Sequence, residues 1–431
     1  MRRGLPSNLA ARRRWRADRG RTARRGGLRL LTLLGVCGGL AFANVAAADT
    51  FTFDDVVARA RASAFEVRFA EARLIEARGR LSGARALSQE NPALSATTGE
   101  RRGDVDSDES EIALTIPFGF GLARGPRVAM AESDLSREEA NLLDARRLAI
   151  GRAAAAFYGV LHAERLAAIA EERQSLADSL LETARERERA GDVAQFDVAV
   201  AESERGRAES ELLAQRAAVA RALGDLAKSI GLASVAGLEV EGDLSDVERL
   251  DSLIAWGGAA PERPDIAAAR AHVAMRASEA KLAGRERLPD IALLGSTARE
   301  EGDEIVQAGA EITLPIFQRG QGSRGETEGR RALAHSEQEA ALAAAAIERE
   351  SADAAYVAAN DALGRFEEDA LPRALAYGGM ATESYRVGRM DLPTLLLIRK
   401  EALETKREHA ERMHEKALAA IDVAVARGLF Q

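Results

Sequence analysis

The 431-residue chain has few side chains that could perform chemistry together. A metal site or a proton-transfer centre needs histidines, cysteines or carboxylates at spacings that bring them onto one surface. No two of the five histidines stand four residues apart, and the sole cysteine is Cys37, near the N-terminus. We therefore expect no metal centre, no cofactor and no enzymatic activity, and we interpret the histidines as solvated helix positions. They are His162, His272, His335, His409 and His414.

Two glycine pairs have a superficial likeness to phosphate-binding loops, Gly119-x-Gly121 and Gly320-x-Gly322. Neither pair has the Lys-Ser/Thr ending or the parallel βαβ context of such a loop. Strand-to-helix turns explain both pairs better. The many Glu and Arg residues are typical of solvated helix faces with i, i+4 pairs.

Small apolar residues recur at every seventh position between residues 127 and 190. This spacing predicts one long helix over 127–190 with a continuous packing seam. At about 1.5 Å per residue, the helix would be roughly 95 Å long and would need partners along its whole length. The seam consists of Val128, Leu135, Leu142, Ala149, Ala156, Ala163, Ala170, Ala177 and Ala184.

The first 48 residues have the order of a secretory signal. They contain eleven arginines and one acidic residue, then an apolar run from Leu28 to Ala43 and small residues at 45–48. We predict that residues 1–48 are a signal peptide for general secretion, which fits better than the twin-arginine route that Arg24-Arg25 suggests. Because valine precedes Cys37, that cysteine is a poor lipidation site, and we expect it to be discarded with the signal.

Removal of this segment would leave a strongly acidic protein. Residues 49–431 contain 49 basic and 67 acidic side chains, which gives a net charge of −18. A nucleic-acid partner requires a basic surface, so we exclude one. No apolar run of about 18 residues follows the signal, and any membrane-spanning part must therefore consist of strands.

Two pairs of short strand-like runs are predicted to form β-hairpins, at residues 92–117 and 289–316. In the first hairpin, Ile112, Leu114 and Ile116 alternate with polar or small residues. About ten residues that are apolar on one face and polar on the other fit a strand of a membrane β-barrel. The same alternation also fits a half-buried strand of a soluble sheet.

The whole pattern of elements occurs twice in the chain. Residues 191–232 align without a gap to residues 388–429, and the order helix, hairpin, long helix and return helix recurs. Leu371-Pro372 should kink or break the second long helix. The predicted units are a first repeat at 49–232 (long helix 127–190, return helix 196–230), a connector at 233–258 and a second repeat at 259–431 (long helix 323–385, return helix 392–427).

Each chain thus contributes only four strands to a predicted mainly α-helical protein with a small β part. Four strands cannot close a barrel, and an open sheet edge cannot face lipid. Eight strands from a dimer would leave no lumen, whereas twelve strands from a trimer would enclose a pore.

Several short passages are specific when taken together, in order and duplicated. They are Arg263-Pro264-Asp265-Ile266 with Leu288-Pro289-Asp290-Ile291, Gly191-Asp192-Val193-Ala194-Gln195-Phe196-Asp197-Val198, and Tyr385-Arg386-Val387-Gly388. Through these passages the sequence resembles the TolC-like family of outer-membrane efflux channels over nearly all of residues 51–430. Residues 314–322 look most like the heavy-metal (cobalt–zinc–cadmium or copper) branch.

The resemblance implies a homotrimer in the cell outer membrane. Its twelve-stranded β-barrel would continue into the periplasm as an α-barrel made of the long antiparallel helical hairpins. The closed end would dock a periplasmic adaptor protein and an inner-membrane pump of the resistance-nodulation-division type. The protein would be a passive conduit for heavy-metal cations or small toxic compounds.

The resemblance also points to residues at the tips of the helical hairpins. Asp197 matches the family's aspartate after the first tip, Tyr385 matches its tyrosine before the second, and Arg389 lies one residue away from its arginine. The family's aspartate ring falls here on Thr394 and Leu397, which argues against cation binding by such a ring. Ordinary solvated tip residues are the alternative interpretation. The candidates for adaptor contact and gating are Gly191, Asp192, Asp197, Tyr385, Gly388 and Arg389.

Two other functions compete with efflux. A channel of the same architecture could serve type I protein or peptide secretion, and only its partners would distinguish it. A periplasmic coiled-coil structural protein without a membrane span would contain no barrel, so trimers that require detergent and change mobility on heating would exclude it.

Overall fold

A computed structural model of the chain describes residues 49–102, 106–117, 123–191, 194–255, 262–285, 287–300 and 303–430. The predicted signal peptide, residues 1–48, lies outside the described residues. Within them, long helices dominate and the strands are short. The helices are α1 (Phe53–Ser63), α2 (Phe65–Ala84), α3 (Arg124–Ala190), α4 (Gln195–Ser229), α5 (Glu248–Ala255), α6 (Pro264–Ala283), α7 (Gln321–Arg365), α8 (Leu371–Arg386) and α9 (Leu392–Ala426). The strands are β1 (Asp49–Phe51), β2 (Ala93–Arg101), β3 (Ser107–Pro117), β4 (Leu238–Val240), β5 (Asp290–Glu300) and β6 (Asp303–Thr313).

Helix α3 is the central element of the fold. Its 67 residues extend over roughly 100 Å at 1.5 Å per residue, where the seven-residue spacing predicts a helix. Six of the nine seam residues, Leu142 and the alanines at 149, 163, 170, 177 and 184, are buried, and the other three are half-buried. Helix α3 packs against α2, α4, α6 and α9. Alanine at these positions permits the close approach of neighbouring helices.

Glycines in the left-handed conformation follow the C-terminal ends of four helices, α3, α4, α8 and α9. Gly191, Gly231, Gly388 and Gly428 have φ angles of +80°, +72°, +74° and +73°. Only glycine adopts this conformation readily, and it stops a helix by turning the chain away from the axis. The first and third of these glycines occupy aligned positions of the predicted sequence repeat, as do the second and fourth.

The predicted second long helix, 323–385, is divided into three segments. Helix α7 is followed by one π-helical turn, Phe366–Ala370, and then by α8. Pro372 has no N–H for the carbonyl four residues earlier, and its ring crowds that carbonyl. A wider π-turn relieves the crowding. The interruption expected at Leu371-Pro372 therefore takes the form of a π-turn rather than a break.

The first predicted helix and the connector also differ in detail from expectation. The helix divides at Ala64, where ψ of +142° separates α1 from α2. The connector at 233–258, expected to be irregular, contains β4 and α5. Strand β4 pairs in parallel with β1, so that the connector closes over the start of α1.

The largest core lies where this connector meets the middle of α3. Phe157 and Tyr158 on α3 contact Phe53 on α1, with ring centroids 5.6 Å and 6.0 Å apart. Ile150, Leu226 and several residues near the C-terminus of α9 complete the cluster. This core anchors the ends of α4 and α9 to α3. No helix among the described residues has the length and apolar composition needed to cross a bilayer.

Candidate functional site

The chain reverses direction after α3, at Gly191, and after α8, at Gly388. We call these two reversals the tip turns. Gly191 follows α3, and its N–H donates to the Glu188 carbonyl at 2.9 Å. The N–H of Gly388 donates to the Tyr385 carbonyl at 3.0 Å, and that of Arg389 to the Ser384 carbonyl at 2.8 Å. The second pattern is that of a Schellman turn, which satisfies the last carbonyls of a helix. Asp192, also singled out by the sequence, lies outside the described residues.

An apolar cluster, which we call the tip cluster, packs the helix ends beside these turns. Tyr385 is 5% exposed within it. The guanidinium carbon of Arg187 lies 5.3 Å from the centroid of the Tyr385 ring, a distance at which a cation is attracted to an aromatic face. The tip cluster joins the two helical hairpins. Its buried members are Leu180, Leu181, Ala184, Val198, Ala201, Ala381, Tyr385, Leu392 and Leu395.

The other sequence-predicted tip residues surround this cluster. Asp197 is half-buried in the first turn of α4 and precedes Val198 of the tip cluster. A carboxylate in a first helical turn is favoured by the helix dipole. Arg389 is exposed. The described contacts include no side-chain bond joining Asp197, Tyr385 and Arg389. Sequence reasoning missed Arg187, because one arginine on a highly charged helix has no distinguishing spacing.

Ion pairs hold α3 and α4 in register above the tips. Arg173 contacts Glu204 at 2.6 Å, and Arg205 contacts Asp178 at 2.7 Å. Lys406 on α9 contacts Glu172 at 2.5 Å. Each half-exposed pair contributes little free energy by itself. Together, these ion pairs determine which residues of α3 face which residues of α4 and α9.

The second candidate site is the four-stranded antiparallel sheet, whose strand order is β2-β3-β5-β6. Residues that pair directly across neighbouring strands lie on the same face. Leu94 pairs with Leu114, and Ile116 pairs with Leu293. The register therefore collects apolar side chains on one face, which we call the apolar face. It carries Leu94, Ile112, Leu114, Ile116, Ile291, Leu293, Val306 and Ile312.

The opposite face of the sheet is mostly polar. Glu111 pairs with Thr97 and Ala298, and Glu311 pairs with Ala292. The apolar face is exposed: Leu94 is 73% and Val306 is 76% exposed. In the described part of the chain, β2 and β6 each have one edge without a strand partner. A long unpaired edge and a broad exposed apolar face are both unfavourable in water.

A cavity of about 660 Å³ lies where the sheet meets the helices. Arg127 donates to the Ala84 carbonyl at 3.1 Å, and Arg124 donates to the Arg85 carbonyl at 3.1 Å. These bonds satisfy carbonyls at the C-terminus of α2. They hold the start of α3 against the end of α2, and so they position the sheet relative to the long helix.

The interpretation of the histidines as solvated positions is wrong for four of the five. His335 is exposed, but the others are partly buried. His409 lies 2.8 Å from Glu367, and His162 stacks on His414. Sequence spacing could not show either contact, because each joins different helices. The described residues contain no group of three or more His, Cys, Asp or Glu side chains suited to a metal ion.

Comparison with known proteins gives similarity in structure but not in sequence. No protein-family model matches the chain, and no curated protein matches its sequence. The outer membrane protein VceC from Vibrio cholerae superposes with a TM-score of 0.72 at 20% identity, covering 87% of this chain and 96% of VceC. The CmeC outer membrane channel of Campylobacter jejuni gives 0.72 at 15% identity, with 88% and 85% covered. The open-state MtrE outer membrane channel of Neisseria gonorrhoeae gives 0.68 at 18% identity, with 87% and 88% covered. The chain therefore has the fold of these outer-membrane channel proteins.

Proposed function

We propose that the chain is one subunit of a homotrimeric outer-membrane channel of a tripartite efflux system. The observation that carries this proposal is the sheet. Its register places apolar residues of all four strands on one face, and its two edges lack partners among the described residues. Lipid would cover the apolar face, and neighbouring subunits would complete the edges.

The dimensions of the sheet support a membrane location. Strands β3, β5 and β6 each have 11 residues, or about 37 Å at 3.4 Å per residue. With the tilt of a barrel strand, this length matches a hydrocarbon core of about 30 Å. Pairing of β6 of one subunit with β2 of the next, repeated three times, would close a twelve-stranded β-barrel with the polar face inward.

The long helices would continue this pore into the periplasm as an α-barrel. The two halves of each chain, residues 49–232 and 259–431, would form equivalent parts of its wall, joined by the connector at 233–258. The tip turns lie at the end of α3 and α8, where a periplasmic adaptor and an inner-membrane pump would dock. Likeness in fold to outer-membrane channels supports this arrangement. The subunit itself would act as a passive conduit.

We assign the gate of this conduit to the tip residues. Burial of Tyr385 in the tip cluster and the placement of Asp197 beside it support this assignment. Gly191 and Gly388 would set the turns, while Asp192 and Arg389 would be available to neighbouring subunits or to the adaptor. Closure would depend on contacts that hold the two helical hairpins together at their ends.

The cargo that we propose is a heavy-metal cation or another small toxic compound. Support comes from the resemblance of residues 314–322 to the heavy-metal branch. Type I secretion of a protein or peptide is the alternative. An adaptor and a resistance-type pump encoded beside this protein would favour efflux, whereas a peptide-exporting ATPase would favour secretion.

Two measurements test the channel itself. The mature chain should require detergent, run as a trimer on mild electrophoresis, and convert to a monomer on boiling. The same trimers should produce discrete conductance steps in planar lipid bilayers. A water-soluble monomer without conductance would contradict the proposal and would favour the periplasmic structural protein.

The gate assignment has its own test in the bilayer. Asp197→Ala should raise the fraction of time that the trimer spends open. Asp225→Ala, at the other end of α4, is the matched control, because Asp225 is exposed and its ion pair among the described residues is a local one with Lys228. An unchanged closed state in Asp197→Ala would count against the gate while leaving the channel intact.

A further inference from the structure

The turn between β6 and α7 presents an unusual exposed apolar surface. This segment, residues 314–320, we call the β6–α7 turn. Phe317 is 90% exposed, Leu314 is 60% and Ile316 is 57%. One exposed apolar side chain is ordinary on a protein surface, but three within four residues of a single turn form a patch.

Hydrogen bonds hold the β6–α7 turn in a defined shape. The side-chain amide of Gln321 donates to the Phe317 carbonyl at 3.1 Å, and its oxygen accepts from the Arg319 N–H at 2.7 Å. Arg319 Nε donates to the Ile316 carbonyl at 3.0 Å. Gly320 has φ of +67° and caps the start of α7. The phenyl ring is therefore presented by an ordered turn rather than by a loose loop.

The position and charge of the turn indicate what covers it. Leu314 and Ile316 continue the alternation of Ile312, so the patch is continuous in sequence with the apolar face of the sheet. Arg319 and Arg324 flank the patch and are exposed, and neither has a carboxylate partner within the described part of the chain. Apolar side chains next to unpaired guanidinium groups complement acyl chains next to phosphate groups.

We propose that the β6–α7 turn is a lipid anchor in the leaflet of the outer membrane that faces the periplasm. Phe317 and Ile316 insert among the acyl chains, and Arg319 and Arg324 bind phospholipid phosphates. This inference rests on the proposed channel function, because it takes the sheet as the membrane-spanning part. The anchor fixes the height of the long helices below the bilayer.

Fluorescence quenching tests the anchor in the full chain. Phe317→Trp is introduced into a background in which Trp256 carries phenylalanine, because Trp15 is lost with the predicted signal peptide. The mature trimer is reconstituted in vesicles of phosphatidylethanolamine and phosphatidylglycerol. We expect bromine attached near the headgroup end of the acyl chain to quench the new indole, and bromine near the methyl end to quench it less. Adding Arg319→Glu and Arg324→Glu should reduce the quenching.

Phe196→Trp in the same background is the matched control. Phe196 is also exposed, at 69%, but it lies beside the tip turn at the other end of α3, and its indole should be quenched by aqueous iodide and not by brominated lipid. The Phe317→Trp trimers could insert and conduct while brominated lipid fails to quench the indole fluorescence. That result would refute the lipid anchor and leave the proposed channel function intact. In that case, shielding of the indole from iodide on trimer formation in detergent would assign the patch to a subunit contact. Failure of the chain to insert at all would overturn both proposals.

Discussion

The imidazole rings of His162 and His414 stack face to face between α3 and α9. Their centroids are 4.4 Å apart and their planes differ by 5°. The Nε2 atom of each ring is buried without a hydrogen-bond partner. Two positively charged rings would repel each other in this arrangement, so the stack requires at least one of the two histidines to be neutral.

The histidine stack predicts a loss of stability in acid. Burial and the neighbouring His162 lower the pKa of His414 to about 4, and burial lowers the pKa of His162, with Arg407 and Glu411 acting in opposite directions. The unfolded chain therefore binds more protons than the folded one below the ordinary pKa of about 6.5. Stability is complete above that pH and falls as the pH decreases towards about 4, by about 2 kcal/mol after allowance for solvent screening.

The measurement is the thermal unfolding of trimers in detergent as a function of pH. His414→Gln should weaken the dependence between about pH 6.5 and 4, the window set by the lowered pKa. His335→Gln is the control, since His335 is exposed. Equal pH profiles for the wild-type chain and His414→Gln would show that the stack does not titrate in this window.

A glycine on α3 predicts a packing limit between α3 and α9. A Cβ atom at Gly151 would lie 2.4 Å from Cγ2 of Val425, whereas one at Gly159 would meet nothing within 4 Å. Gly151→Ala should destabilise the chain by about 1–3 kcal/mol through overpacking. Gly159→Ala should instead stabilise it by up to about 1 kcal/mol, because alanine favours the helix. Thermal unfolding of both variants checks the contrast. Adding Val425→Ala to Gly151→Ala should restore the lost stability.

A buried arginine holds the C-terminus of α9. Arg147 is 3% exposed; it donates to the Val425 carbonyl at 2.7 Å and contacts Asp144 at 2.7 Å. Arg147→Ala should destabilise the chain by about 3 kcal/mol, because it leaves a partly buried carboxylate and a carbonyl without their partner. Arg221→Ala, at an exposed position of α4, should have little effect in the same denaturation experiment. Similar losses in the two variants would contradict this role.

The π-turn before Pro372 depends on a packed aromatic ring. Phe366 is 9% exposed, stacks on His409 with centroids 6.3 Å apart, and lies 4.8 Å from the guanidinium carbon of Arg412. Phe366→Ala should cost about 3 kcal/mol of stability. It should also increase hydrogen exchange of the amides near the π-turn. Phe196→Ala should leave both measurements unchanged, and faster exchange confined to other parts of the chain would argue against the local role of Phe366.

The sequence alone predicted the elements whose signals are local. A seven-residue spacing of small residues is sufficient to mark α3, because a helix repeats its contacts with its own periodicity. Alternation at Ile112, Leu114 and Ile116 marked a strand for the same reason. Gly191 and Gly388 marked the tip turns, since a left-handed turn favours glycine wherever it occurs.

Only the tertiary structure decided how these elements meet. The strand register, which puts Leu94, Leu114 and Leu293 on one face, depends on pairing between distant segments. The stack of His162 on His414 and the cation–π contact of Arg187 with Tyr385 each join helices whose relative rotation no single segment specifies. Periodicity determines which side of an element is apolar, but the partner of that side is chosen by packing across the whole chain.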